Sequence, residues 1–340
     1  MKKFVICLGL GKNQLNLIKK IDNNFGIIGI DQKCSKITKK KINIFFKGSL
    51  YNLEDIKKIS KIIKKKKYNI TFILYRSSGP TILAANYLEE YFNINRIDKA
   101  LSKSIYSKSY FFRYLNKKKL PGLKSSATEK LIKLKNVVIK PDAPIYGKKN
   151  IYMIETKNIN SLFKKCQKES HNKKVNISNF YNGSDISSFY FSEKNSKNIK
   201  LISHTQEFNY FEKNVIRSFG ICSPPIFSKK QILYKKEVLD KLIIKTFKNF
   251  YGIISISSKI LKNNIVYPYE INVGLSGDKF ADLIFPFNFN NRSLYKIELD
   301  MCLYKRKIKI INNKKFIGLF NGKKITSYKF FEKKVDNINK

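Results

Sequence analysis

Over its first 95 residues the chain alternates short, continuous apolar runs with amphipathic stretches, an order that suits a parallel sheet covered by helices. Lys3–Leu8 (KFVICL) is apolar almost throughout, as a strand buried on both faces is, and it runs into the turn Gly9-Leu10-Gly11. Residues 12–22 place Leu15, Leu17, Ile18 and Ile21 at near-helical spacing, and residues 26–30 (GIIGI) form a second buried strand ending at Asp31. A strand at 42–46, a helix at 53–65, a strand at 70–75 and a helix at 80–92 continue the pattern. Residues 1–95 therefore read as a small doubly wound α/β domain. Its ligand crevice is expected at the carboxyl ends of the strands, near residues 9–14 and 76–79.

The pattern then changes. Residues 104–116 read as a helix, followed by the turn Pro121-Gly122. Short strands are expected at 137–140, 151–154, 175–180, 186–191 and 199–204, with a helix at 161–169 among them. The stretch 209–225, with Pro224-Pro225, reads as a loop and as a place where specificity could reside. A helix at 230–249, strands at 253–257 and 265–272, a helix at 292–303 and a β tail to about residue 330 follow. There is no internal repeat.

The net charge of +45 draws attention to nucleic acid. Only six of the 69 basic residues are arginine, however, and base-reading surfaces favour its bidentate fork. Lysine is spread along the whole chain in runs such as 39–41, 64–67 and 117–119, amid abundant Ile and Asn, so it reads as a compositional drift onto solvated faces. No apolar run reaches the roughly 18–20 residues that span a bilayer. The N-terminal stretch reads as a strand rather than a signal peptide, and a cytoplasmic protein is expected. Five scattered cysteines without a CxxC pair suggest neither disulfides nor zinc, and two histidines leave little material for histidine chemistry.

Three motifs carry candidate chemistry. Gly9–Gln14 (GLGKNQ) opens a helix, but Gln14 stands where a dinucleotide fingerprint has its third glycine, so a plain glycine turn is favoured over a nicotinamide or flavin site. In Val138-Ile139-Lys140-Pro141 an apolar strand delivers one lysine beside a loop, residues 142–150, that contains Gly147 and Lys148. An ammonium next to backbone amides suits phosphate. In Tyr269-Glu270-Ile271-Asn272 the period of two puts Glu270 and Asn272 on one face, a carboxylate and an amide oxygen suited to Mg²⁺.

Taken in order, these pieces resemble the ATP-grasp superfamily, over about residues 1–305. The resemblance implies an α/β plus α+β fold: a small doubly wound pre-ATP-grasp domain (1–95), a two-lobed ATP-grasp domain (96–305, with a lid at about 123–182) and a C-terminal β tail (306–340). It implies that Lys108, opening a helix, and Lys140 hold ATP phosphates under a flap that includes Gly147 and Lys148. The adenine hinge falls at residues 178–183, with Asn179 and Tyr181, and Asp185 is similar in place to the ribose-binding acid. Glu270 and Asn272 match the metal signature. Three positions depart from the family pattern: Ser178-Asn179 replaces an acidic pair, Gly274 an arginine, and the stretch Ser255-Ile256-Ser257-Ser258 an acidic metal ligand.

The implied activity is ADP-forming ligation of a small-molecule carboxylate to an amine, with ATP and Mg²⁺ as cofactors and Arg76 or Arg217 as candidate grips on the carboxylate. A homodimer would suit this class, and neither nucleic acid nor membrane is expected as a partner. The alternatives are an ATP-binding relative with impaired catalysis, favoured by Ser257 and Gly274, and a basic nucleic-acid-binding protein.

Overall fold

A computed structural model describes residues 2–10, 18, 21–75, 79–123, 125–126, 137–145, 151–154, 159–193, 198–212, 215–227, 229–248, 250–274, 280–289, 293–304, 317–320 and 323–325. The expected helix at 12–22 lies almost wholly outside them.

The first unit contains β1 (Lys3–Leu8), β2 (Phe25–Asp31), α1 (Lys36–Lys39), β3 (Ile44–Lys47), α2 (Leu53–Lys65), β4 (Asn69–Tyr75) and α3 (Thr81–Tyr91). Its four strands are parallel in the order β3-β2-β1-β4. The continuous apolar runs have a direct cause: alternate residues feed different cores. Ile6, Leu8, Ile28, Ile30 and Ile73 enter one, and Val5, Cys7, Ile27, Phe72 and Leu74 enter the other. Helix α2 has the bounds its periodicity predicts. It is capped by Asn52, whose side chain accepts from Glu54 N–H, and it buries Ile56, Ile59 and Ile63. At the end of β1, Gly9 adopts φ +78°, which favours glycine. Asp31 accepts from Leu10 N–H at 2.6 Å, so this acid braces the glycine turn.

The rest of the chain contains α4 (Lys99–Tyr106), α5 (Lys108–Lys117), β5 (Ser125–Ser126), β6 (Val137–Pro141), β7 (Tyr152–Ile154), α6 (Ile159–Glu169), β8 (Val175–Asn179), β9 (Gly183–Ser192), β10 (Ile199–Glu212), β11 (Val215–Ser223), α7 (Lys230–Lys245), β12 (Gly252–Leu261) and β13 (Val266–Val273). A π-helical turn (Phe280–Ile284), α8 (Phe285–Asn288), α9 (Leu294–Cys302), β14 (Ile317–Phe320) and β15 (Lys323–Ile325) complete it. One sheet runs β13-β12-β9-β10-β11-β7-β6-β8-β5, with β14 added to β11 and β15 to β14. Strands β6 and β8 pack Val137, Ile139, Val175 and Ile177 against α6, in a small core of their own.

Two sequence expectations are corrected. The helix expected at 104–116 is two helices, because Ser107 turns extended (φ −126°, ψ 119°) and its side chain caps the second by accepting from Tyr110 N–H. The loop expected at 209–225 is mostly strand: β10 and β11 pair from Gln206–Cys222 to Glu212–Val215, and Phe219 packs with Phe208 and Tyr210. Strand β14 docks on this hairpin, with Gly220 opposite Phe320, and β15 pairs with β14.

Arg96 joins the two units. Buried at 2% exposure, it lies over the rings of Phe72 and Tyr75 and pairs with Glu89 at 3.2 Å and Glu298 at 3.7 Å.

A second polar group is set into the central sheet. His204 Nδ1 lies 2.7 Å from Ser188 Oγ, and enclosure, helped by the nearby Lys236 ammonium, pushes the imidazole down to about 3. A histidine held neutral in the fold and protonated near 6.5 when unfolded contributes stability above 6.5 and loses it as pH falls toward 3. His204→Gln is therefore expected to lower the midpoint of acid unfolding by roughly half a pH unit, measured by circular dichroism. An unchanged midpoint contradicts this.

Candidate nucleotide site

Lys108 is the first residue of α5, at the positive end of that helix. Its Nζ donates to Glu270 Oε1 at 2.9 Å, which joins α5 to β13 across 162 residues. The residues around Lys108 are held by Asp142, just beyond β6: Ser107 Oγ donates to Oδ2 at 2.6 Å, and Ser109 N–H donates to Oδ1 at 2.7 Å.

Lys140 reaches the same place from β6. Its side chain is buried, with Nζ 5.8 Å from the ring centre of Phe112 and 5.7 Å from that of Tyr269. It makes no hydrogen bond to any described residue. Burial and the neighbouring Lys108 charge push this ammonium down to about 7, against the opposing pull of Glu270, Asp142 and Asp185. A lysine in this condition is ready to take an anionic partner, because an anion restores what burial removes. The structure thus brings Lys108, Lys140 and Glu270 together from three separate elements.

The floor is a ladder of polar residues. Across β13, β12 and β9, Glu270 stands opposite Ser257, which stands opposite Ser187, and Asn272 stands opposite Ser255. Ser257 and Ser187 share a hydrogen bond of 2.7 Å. The Ser257 hydroxyl thus lies directly across from Glu270. Among the described residues no group of three His, Cys, Asp or Glu could hold a metal ion. Glu270, Asn272 and the Ser257 hydroxyl fit one Mg²⁺, whose other positions phosphate and water oxygens would fill, but they offer no second carboxylate for a second ion. Ser257→Asp is accordingly expected to tighten Mn²⁺ binding roughly tenfold in calorimetry and to lower the melting temperature in EDTA, where two carboxylates face each other. Unchanged metal affinity would show that the ion binds elsewhere.

On the next rung, Lys259 stands opposite Asp185 on one side and Tyr267 on the other. Asp185 Oδ2 accepts from Lys259 Nζ at 2.7 Å and Asn209 Nδ2 at 2.8 Å. Tyr181 packs on Tyr267, with ring centres 5.0 Å apart. Asn179 pairs with Val137, on the α6 side of β8, so a ligand on the Lys140 side meets its backbone rather than its amide. Gly274 adopts φ +72°, where an arginine would be strained.

Arg76, Gly147 and Lys148 lie outside the described residues. Arg217 is exposed on β11 and pairs with Glu212 at 3.4 Å. Sequence reasoning missed Asp142 and Lys259. The acid two residues beyond Lys140 was visible, but its partners at 107, 109 and 172 were not. Lys259 was hidden among many other lysines.

No family model matches the chain, and no curated protein matches it. Solved structures do. An L-amino acid ligase from Bacillus licheniformis superposes with a TM-score of 0.71 at 12% identity, over 94% of this chain and 79% of that one. Phosphoribosylglycinamide synthetase from Anaerococcus prevotii gives 0.66 at 16%, over 93% and 80%. Biotin carboxylase from Campylobacter jejuni, solved as a β,γ-ATP complex, gives 0.66 at 12%, over 93% and 74%. These are ATP-grasp structures. The four-stranded parallel sheet followed by the large, mainly antiparallel one is therefore the ATP-grasp fold.

Proposed function

We propose that the chain is an ATP-dependent ligase that activates a carboxylate as an acyl phosphate and joins it to an amine. The observation that carries this reading is the buried Lys140 ammonium, without a hydrogen-bond partner among the described residues, beside the Lys108–Glu270 pair. The fold adds support, since the similar structures include a ligase of amino acids and proteins solved with ATP or ADP.

A substrate carboxylate oxygen attacks the γ-phosphorus, the bond to the bridging oxygen breaks, and ADP leaves. The amine nitrogen then attacks the acyl carbon, phosphate departs and the amine proton goes to solvent. Lys108 and Lys140 hold the phosphate oxygens and neutralise charge that shifts toward ADP. Glu270 and Asn272 would hold Mg²⁺, which supplies further neutralisation when bound. The lid keeps water from the acyl phosphate.

The test is ADP release with Mg²⁺ and ATP against a matrix of carboxylates and amines, with products identified by mass spectrometry. Release that requires both partners supports ligation. ATP binding without release against any pair favours the second reading, a nucleotide-binding protein without ligase activity, to which the Ser257 hydroxyl points.

A further inference from the structure

Asp142 makes more contacts than the end of a strand requires. It is fully buried. Its Oδ2 accepts from Ser107 Oγ at 2.6 Å and Asn172 Nδ2 at 2.7 Å, and its Oδ1 accepts from Ser109 N–H at 2.7 Å. Its carbonyl accepts from Lys108 N–H at 3.2 Å, and its own N–H donates to Lys174 O at 3.1 Å. Every residue of Ser107-Lys108-Ser109 is thus bonded to one residue, which lies two positions beyond Lys140. Asn176, opposite Lys140 on β8, adds a parallel tie by donating to Ser109 Oγ at 3.1 Å.

Capping explains the bonds to the Lys108 and Ser109 amides, two of the free N–H groups at the start of α5, but not those from the Ser107 hydroxyl and Asn172. The start of α5 already has its cap in Ser107, which accepts from Tyr110 N–H at 3.1 Å. Nor is the carboxylate a proton donor in waiting. Burial pushes it up, but the bonds from Ser107, Ser109 and Asn172 outweigh that and hold it below the usual carboxylate range. What the contacts do fix is the lid strand carrying Lys140 relative to the helix start carrying Lys108. Two cations that grip one chain of phosphates must keep their spacing, because a misplacement on the order of 1 Å costs about 100-fold in a positioned reaction.

We propose that Asp142 is a positioning residue, clasping the serines on either side of Lys108 so that Lys108 and Lys140 face a single polyphosphate chain. This rests on the reading of both lysines as phosphate ligands. Calorimetry of the full chain with ATP, and separately with inorganic tripolyphosphate, tests it. Wild-type protein that binds neither ligand removes the phosphate reading itself, and the variants then have nothing to explain. Where wild type binds, Asp142→Asn turns one acceptor into a donor facing Asn172 Nδ2. It is expected to weaken both ligands by the same 10- to 100-fold factor. Combining Asp142→Asn with Asn172→Asp exchanges donor and acceptor, and most of the lost affinity is expected to return. Should Asp142→Asn not fold, Asn172→Ala removes one of the three bonds to the carboxylate and is expected to cost about threefold. ATP affinity within twofold of wild type in Asp142→Asn overturns the proposal. So does a loss confined to ATP while tripolyphosphate binds normally, or a loss that the exchange leaves unchanged.

Discussion

Lys140→Met is expected to weaken ATP binding about 100-fold while raising the melting temperature of the ligand-free protein. The two effects have one cause. In the empty protein the ammonium is buried between Phe112 and Tyr269, beside the like charge of Lys108, without a hydrogen bond to any described residue. Methionine fills much the same volume without that desolvation; replacing whole buried ion pairs by apolar side chains of similar size is neutral or stabilises by about 1–4 kcal/mol, and a lone cation with no hydrogen bond to lose is expected to lie on the stabilising side. A phosphate bound here as proposed would give the same ammonium charge-assisted hydrogen bonds of about 1.5–3 kcal/mol, and every 1.4 kcal/mol is tenfold in affinity. Calorimetry with ATP and a thermal melt without it read the two signs separately.

The pH dependence follows from the same group. In the ligand-free protein Lys140 titrates near 7, while in the unfolded chain it titrates near 10.5. Between those values the unfolded chain binds the extra proton, so this group makes the empty protein more stable as pH rises from about 7 to about 10.5. Phosphate prefers the charged form, so wild-type ATP affinity falls over the same window, whereas Lys140→Met shows no such fall. A variant that keeps wild-type affinity, or melts several degrees lower with no ligand present, would remove Lys140 from the site.

What could be read in advance divides along physical lines. Strand β6 was legible because an apolar run closed by Lys-Pro is a local signal, and α2 was legible because its cap and apolar stripe lie within 14 residues. The pairing of Glu270 and Asn272 on one face follows from strand period alone. The break at Ser107 was not legible. Residues 104–116 have a helical composition throughout, and what holds Ser107 out of the helix includes a bond to a carboxylate 35 residues away. The β10–β11 hairpin was misread for a related reason. Its polar and aromatic residues resemble a loop until the partner strand supplies the aromatic contacts that settle it.

Glu270 is the group whose removal separates metal from lysine. In the ligand-free protein its carboxylate holds Lys108 at 2.9 Å. On the proposed reading, a nucleotide arriving without metal would meet that carboxylate as a like charge, with Lys108 already engaged. With Mg²⁺ held by Glu270 and Asn272, the lysine would be free for the phosphates. Glu270→Gln is therefore expected to act in opposite directions on two measurements. Binding of ATP in EDTA strengthens, by roughly tenfold, because a repulsion of about 1–2 kcal/mol is gone. ADP-forming turnover with Mg²⁺ falls by roughly 1,000-fold, the size expected when an electrostatic stabiliser of the transferring phosphoryl group is lost. One effect runs against the first: the Glu270 charge helps keep Lys140 protonated, so its loss lowers the charged fraction. Measuring at pH 6, below the value of about 7 at which Lys140 titrates in the wild type, reduces that complication. Metal-free binding that weakens in Glu270→Gln at pH 6 would mean that the carboxylate orders Lys108 rather than competing for it. Turnover at the wild-type level would mean that the metal is held by other residues.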